Sequence, residues 1–159
     1  MSEKYKGYAN GTFTQGMQFV GHYIKPDFEW SSITSISMPA SASVPRYVVV
    51  GGKIRSVTSS LSASLNISGL GGVTESGSSV QPGYVYAILN NEKLYLGIDF
   101  RSPEEGGPRG YGPWTYLGSM QVDFGKTIIT RFKFDNGLVM FADGIQTITH
   151  TGTTSSTSK

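Results

Sequence analysis

The chain of 159 residues contains no cysteine, which excludes disulfide bonds, thiolate metal ligands and cysteine nucleophiles. Charged residues are also scarce: they make up 15% of the sequence, against about 25% in a typical soluble domain. A polar but weakly charged surface suits a protein that packs against neighbours, because few charges have to be desolvated at the contact. The length is that of one domain with a core of its own.

Long hydrophobic runs are missing as well. The run at residues 84–89 has six residues, far short of the roughly 20 residues that a membrane helix needs. The polar N-terminus, MSEKYKGYANG, lacks the apolar segment of a signal peptide. We therefore expect a protein made in the cytoplasm, with no membrane partner. The net charge is +2 without a basic run, and phosphate-backbone binding needs clustered lysine and arginine. Nucleic acid is not expected as a partner either.

Motifs of enzyme chemistry are absent from the sequence. The two histidines, His22 and His150, are too few for a three-histidine zinc site, and neither HExxH nor GxSxG occurs. Glu104 and Glu105 are adjacent in a loop rich in glycine and proline, where nothing fixes the separation that glycoside hydrolysis requires. We therefore expect no catalytic residue, no metal site, no cofactor and no enzyme activity.

Short apolar runs bounded by turn residues predict many β-strands and almost no helix. Residues 61–68 alternate apolar and polar side chains, which predicts that Leu61, Ala63, Leu65 and Ile67 face the core. Three hairpins are expected. They join residues 47–50 to 54–58, residues 84–89 to 94–100, and residues 127–134 to 138–142. A last strand is expected at residues 145–149. The pattern predicts an all-β fold, an antiparallel β-sandwich of jelly-roll-like type.

Three segments lie outside the strand pattern. Residues 1–30 form an aromatic-rich N-terminal arm, which we expect to make assembly contacts through Tyr5, Tyr8 and Phe13. Residues 150–159 form a short polar tail of serine and threonine. The sandwich domain then spans residues 31–149, and its long loop, residues 101–113, is rich in glycine and proline.

Arg109, Tyr111 and Trp114 are clustered in or directly after this loop, with Tyr116 just beyond it. Arginine and aromatic side chains are favoured at interface hot spots, and aromatic rings can also stack on sugars. These residues therefore define a candidate interaction surface. Alternatively, Tyr111 and Trp114 fold back and plug one end of the sandwich.

The order of the pieces resembles a β-sandwich module of tailed-bacteriophage virion proteins. The match covers about residues 45–142 and starts at Val50-Gly51-Gly52-Lys53. The other matching pieces are Gly71-Gly72 with Gly77, the run Tyr84-Val85-Tyr86-Ala87-Ile88-Leu89-Asn90, Pro108 with Gly110-Tyr111, and Tyr116-Leu117-Gly118-Ser119.

The resemblance implies a non-enzymatic virion protein that is usually a homotrimer, and it supplies no catalytic residue. Tail-fibre versions of the module usually follow a long fibrous shaft, whereas residues 1–44 alone precede the match here. We therefore expect a capsid decoration or cement protein whose partners are itself and the major capsid protein or another virion protein. The alternative is a tail-fibre or head-fibre module that binds a host surface glycan through residues 101–116. A third alternative, a hydrolase, has no recognisable motif.

Overall fold

The computed structural model describes residues 26–135 and 138–141, and their regular structure is β-strand apart from a 3-10 helix at Pro103–Glu105. The strands are β1 Glu29–Ser32, β2 Ser35–Met38, β3 Arg46–Val50, β4 Lys53–Val57, β5 Leu61–Ser68, β6 Gly72–Glu75, β7 Val80–Asn90, β8 Lys93–Asp99, β9 Trp114–Asp123, β10 Ile128–Ile129, β11 Phe132–Asp135 and β12 Leu138–Phe141. The all-β prediction is confirmed. Within these ranges, no helix is long and apolar enough to span a membrane.

Eight strands form one sheet in the order β1-β2-β5-β6-β8-β7-β9-β10. The prediction of a purely antiparallel arrangement is wrong at β6, which runs parallel to both β5 and β8. The sheet is therefore mixed. The parallel pairings escaped prediction because β6 is short and the chain reaches it through a tight turn: the Gly69 amide donates to Val73 O, and the Gly72 amide donates back to Gly69 O.

The two ends of this sheet meet, so that it nearly closes into a barrel. The Ile129 amide of β10 donates a 2.6 Å hydrogen bond to Ile33 O, in the turn after β1. Beside it, Trp30 Nε1 donates to Ile129 O at 3.2 Å. Trp30 and its neighbour Phe28, which sequence reasoning placed in the arm, thus belong to the folded domain, and Phe28 is buried in the core.

The predicted hairpins are present, with one correction. β3 and β4 are joined through Gly51 and Gly52, both with positive φ, and β7 and β8 through Asn91 and Glu92, also with positive φ. Two such residues in succession are typical of the tight turn that matches strand twist. β11 pairs with β12, but the single strand predicted at residues 127–134 is two: β10 pairs with β9, and β11 turns to another partner. The predicted strand at residues 145–149 lies outside the described residues.

The core lies on one side of the long central strands. Val85, Ala87 and Leu89 of β7 point into it, together with Leu117, Met120 and Val122 of β9 and residues from β2, β3, β5, β8 and β10. Leu61, Ala63 and Leu65 pack in or against it as predicted, but Ile67 is 50% exposed. The pairing of β5 with β6 is irregular between Ser64 and Ser68, which takes Ile67 out of phase with the core face.

The β3–β4 hairpin packs against one end of β7 and β9. Val48 and Val50 are buried in the core, and Thr115 Oγ1 of β9 donates a hydrogen bond to Val49 O. At the turn, a Cβ added to Gly51 would lie 3.0 Å from the Pro113 ring. The turn therefore fits closely against the end of the long loop, residues 101–113.

Candidate interaction surface

The long loop, residues 101–113, is held at its start by a buried group of charges. Arg101 is 4% exposed and Asp99 is fully buried. The Arg101 amide donates to Asp99 Oδ1 at 2.8 Å, and Thr74 Oγ1 donates to Asp99 Oδ2 at 2.7 Å. The Arg101 guanidinium lies 3.5 Å from Asp99 Oδ2, forms an ion pair with Glu75, and donates through Nε to Gly107 O at 3.1 Å. These charged groups thus pair with one another and with the loop backbone.

Burial decides the protonation equilibrium of Asp99. Desolvation raises the pKa of this carboxyl, although the hydrogen bonds from Arg101 and Thr74 and the charge of Arg101 act in the opposite direction. A buried carboxylate that accepts one bond from the Arg101 amide and one from Thr74 of the neighbouring strand β6 anchors the start of the loop.

The 3-10 helix places two carboxylates on the outside of the loop. Ser102 caps it: the Ser102 Oγ accepts from the Glu105 amide at 3.3 Å and donates to the Glu105 carboxylate at 3.1 Å. Gly106 ends it in the left-handed conformation. Glu104 and Glu105 are exposed, so this part of the loop carries negative charge.

Trp114 and Tyr86 join the loop to the sheet. Their rings pack edge to face with centroids 5.0 Å apart, and the Tyr86 hydroxyl donates to Arg101 O at 2.7 Å. A Cβ added to Gly107 would lie 2.8 Å from the Trp114 ring, and one added to Gly69 would lie 3.4 Å from the Tyr111 hydroxyl. Trp114 and Tyr111 are both half-buried. The alternative in which these two rings fold back onto the domain is the one that their contacts favour.

One side of the sheet stays open beside the loop. Cross-strand partners lie on the same side of a sheet, and Val80 and Ile128 both pair with Asp123, while Tyr84 pairs with Ser119. We call this side of β7, β9 and β10 the outer face. Its apolar and aromatic members are Val80, Pro82, Tyr84, Tyr116 and Ile128.

Several apolar side chains of the outer face are exposed to solvent. Val80 is 54% exposed, Ile128 is 39% exposed, and Pro82 is exposed too. The ring centroids of the half-buried Tyr84 and Tyr116 lie 6.2 Å apart. Tyr86 and Trp114, on the same side of the paired strands, contact the loop at Arg101 and Gly107, on either side of the acidic 3-10 helix. Desolvation raises the pKa of Tyr84, and the negative charges of Glu105 and Glu104 add to that shift. The surface is therefore apolar at one end and both aromatic and acidic at the other.

The residues predicted for interaction are only partly brought together. Tyr5, Tyr8 and Phe13 lie outside the described residues. Arg109 is exposed on the loop, whereas Tyr111 and Trp114 are half-buried.

Sequence reasoning missed Val80, Tyr84 and Ile128 as surface candidates. The signal for the first two was available, because Val80, Pro82, Tyr84 and Tyr86 alternate along one strand. Ile128 carried no such signal, since its direction depends on the pairing of a two-residue strand.

Groups of three or more potential metal ligands do not occur among residues 26–135 and 138–141. Comparison of the chain with protein-family models, with curated proteins and with solved structures gave no match.

Proposed function

We propose that this chain is a non-enzymatic structural protein of a tailed-bacteriophage virion, a capsid decoration or cement protein that assembles as a homotrimer on the major capsid protein. The resemblance over about residues 45–142 supports this proposal. Its central pieces are neighbours in the fold, since the run from Tyr84 to Asn90 lies in β7, and Tyr116 to Ser119 lie in the paired strand β9. The resemblance also implies a jelly-roll-like sandwich and a trimer. The homotrimer rests on this resemblance, and the mixed sheet rests on the observed strand pairing.

The observation that carries the proposal is the outer face. It combines exposed Val80 and Ile128 with half-buried Tyr84 and Tyr116 on the rigid central strands. Interfaces are built around such aromatic and aliphatic anchors. The buried charges of Asp99 and Arg101, in contrast, pair with each other and hold the start of the loop. These buried polar groups thus stabilise the domain itself, whereas apolar side chains are left exposed on the outer face.

In this proposal the function is mechanical. The outer face and the aromatic N-terminal arm would bury apolar surface against neighbouring subunits of the virion. The driving free energy would be about 25 cal/mol per Å² of apolar area removed from water, reduced by the entropy of ordering the arm. Apolar contacts of this kind between neighbouring subunits would resist the internal pressure of packed DNA.

Deletion of residues 1–20 tests the proposal. We expect the shortened protein to keep the far-ultraviolet circular dichroism and cooperative unfolding of the full chain, because the deletion leaves the core cluster and the paired strands of residues 26–135 in place. We also expect it to lose binding to capsids that were assembled without this protein, measured by co-sedimentation. Full occupancy of the capsids by the shortened protein would contradict the arm mechanism.

A second candidate function is glycan binding by a fibre module, and one observation favours it. Tyr84 and Tyr116 present half-buried rings beside Glu104 and Glu105, and aromatic rings with a few polar groups are typical of ligand sites. A glycan array with the full chain and with Tyr116→Ala tests this candidate. Specific binding that is lost on substitution would favour it, and a blank array together with capsid binding would favour the decoration protein.

A further inference from the structure

The N-terminal segment joins the folded domain at the edge of the outer face. Phe28 is buried in the core, and β1 begins at Glu29. β1 lies beside β10 through the hydrogen bond from Trp30 Nε1 to Ile129 O. Ile128, the residue before Ile129, points outward as part of the outer face. The chain therefore enters the fold next to the strand that borders this face, with 25 residues before Pro26.

The N-terminal segment carries side chains that complement the outer face. Its sequence begins MSEKYKGY, so that Lys4 and Lys6 alternate with Tyr5, and Tyr8 follows closely. A lysine can lie over an aromatic ring and pair with a carboxylate, while tyrosine rings cover aliphatic side chains. The segment is thus cationic and aromatic.

The acidic end of the outer face offers the complementary groups. Glu104 and Glu105 are exposed on the 3-10 helix. The 3-10 helix that carries them lies between Arg101, whose carbonyl accepts from Tyr86, and Gly107, which packs on Trp114. Tyr86 and Trp114 are on the same side of the sheet as Tyr84 and Tyr116, so the two glutamates border the tyrosine end of the outer face. A cation is attracted both to carboxylates and to the face of an aromatic ring. Val80, Pro82 and Ile128 continue the surface as apolar area toward β10.

We propose that the outer face is the docking site of the chain's own N-terminal segment, with Lys4 and Lys6 at Glu104, Glu105 and Tyr84, and with the later residues of the segment crossing the apolar end toward β1. A segment of 25 residues reaches about 80 Å when extended, which is enough for its own outer face or that of a neighbouring copy. The inference rests on the arm contact in the proposed function, but it requires no capsid.

Zero-length cross-linking of the full chain tests this docking. A carbodiimide joins a lysine Nζ to a glutamate Cδ as an amide, and the lost carboxylate oxygen leaves in the urea formed from the reagent. We expect Lys4 or Lys6 to be joined to Glu104 or Glu105. The control is Glu92, whose side chain is 81% exposed at the turn between β7 and β8 and whose carboxylate pairs with Arg55 at 2.9 Å. The Lys126–Asp123 pair, at 3.8 Å, is the positive control.

Two variants separate docking from accidental collision. Tyr84→Ala keeps both glutamates but removes the ring, and we expect about two- to fivefold less cross-linking, as the loss of one exposed cation–π contact would give. Tyr84→Phe keeps the ring and should retain the yield of the unchanged protein. Thermal unfolding of both variants shows that the domain is intact. The docking is overturned if Glu92 is joined to Lys4 and Lys6 as often as Glu104 and Glu105 are, or if Tyr84→Ala folds and leaves the yield unchanged.

Mixing isotopically heavy and light protein identifies which copy supplies the segment. Mixed-mass cross-links would place it on a neighbouring copy, which supports both this inference and the arm mechanism. Cross-links confined to single chains would support the docking site and contradict arm contacts between copies of the chain. The two ideas can thus fail separately.

Discussion

The Tyr86 hydroxyl donates a 2.7 Å hydrogen bond to the backbone carbonyl of Arg101. Both residues are buried. This bond connects the middle of the sheet to the first residue of the long loop, residues 101–113, and the loop then supplies Gly107 as the packing partner of Trp114. The position of the acidic 3-10 helix beside the outer face therefore depends on contacts that begin in β7.

Tyr86→Phe removes this hydrogen bond and leaves the Arg101 carbonyl without its partner. An unsatisfied buried acceptor costs about 1–3 kcal/mol, so we expect the free energy of unfolding to fall by that amount in urea denaturation. The matched control is Tyr47→Phe, because Tyr47 is 46% exposed on the β3–β4 hairpin. Equal stability of the two variants would contradict an anchoring role for Tyr86.

Gly107→Ala tests the contact between the loop and Trp114. The new methyl group would lie 2.8 Å from the ring at a position with φ of +58°, so it adds a collision to the cost of left-handed backbone. Gly110→Ala is the control, since Gly110 also has positive φ but has no atom within 4 Å of the added Cβ. We expect Gly107→Ala to be less stable than Gly110→Ala by about 1–3 kcal/mol, the usual cost of overpacking. Denaturation curves that coincide would show that the loop is not packed on Trp114.

Asp99→Asn tests the buried charges through the pH dependence of stability. The pKa of Asp99 is raised in the folded protein, so the folded state binds its proton more tightly than the unfolded state does. As pH falls through this raised pKa toward the ordinary value of 3.8, the unchanged protein should gain stability relative to Asp99→Asn. The gain is complete below the unfolded pKa.

Parallel denaturation of the two proteins from pH 7 to pH 3 measures this difference. A loss of stability of the unchanged protein relative to Asp99→Asn over this range would mean that the pairing with Arg101 outweighs burial.

The local structure could be predicted from the sequence wherever it depends on neighbouring residues. Gly51-Gly52 forms one hairpin turn and Asn91-Glu92 another, all with positive φ, and glycine or asparagine between two apolar runs is a local turn signal. Strand pairing between distant segments could not be predicted. Periodicity places Ile67 on the core side of β5, but the irregular pairing with β6 exposes it.

The candidate surface shows the same limit. Tyr111 and Trp114 were visible as aromatic residues in a loop, but their packing on Gly69 and Tyr86 depends on how the loop folds back. The outer face needed the register of three strands before Val80 and Ile128 could be placed on one side. The composition favoured a protein that makes surface contacts. The pairing of β7, β9 and β10 was needed to locate an exposed apolar face.

The most direct measurement is the occupancy of capsids by two surface variants of the full chain. Val80→Glu combined with Ile128→Glu places charge on the outer face, and Tyr47→Glu combined with Ile54→Glu places equal charge on the β3–β4 hairpin, where both residues are also about half exposed. With both variants folded, the account predicts that the outer-face variant loses binding to capsids assembled without this protein, while the hairpin variant fills them. Full occupancy by the outer-face variant would contradict it.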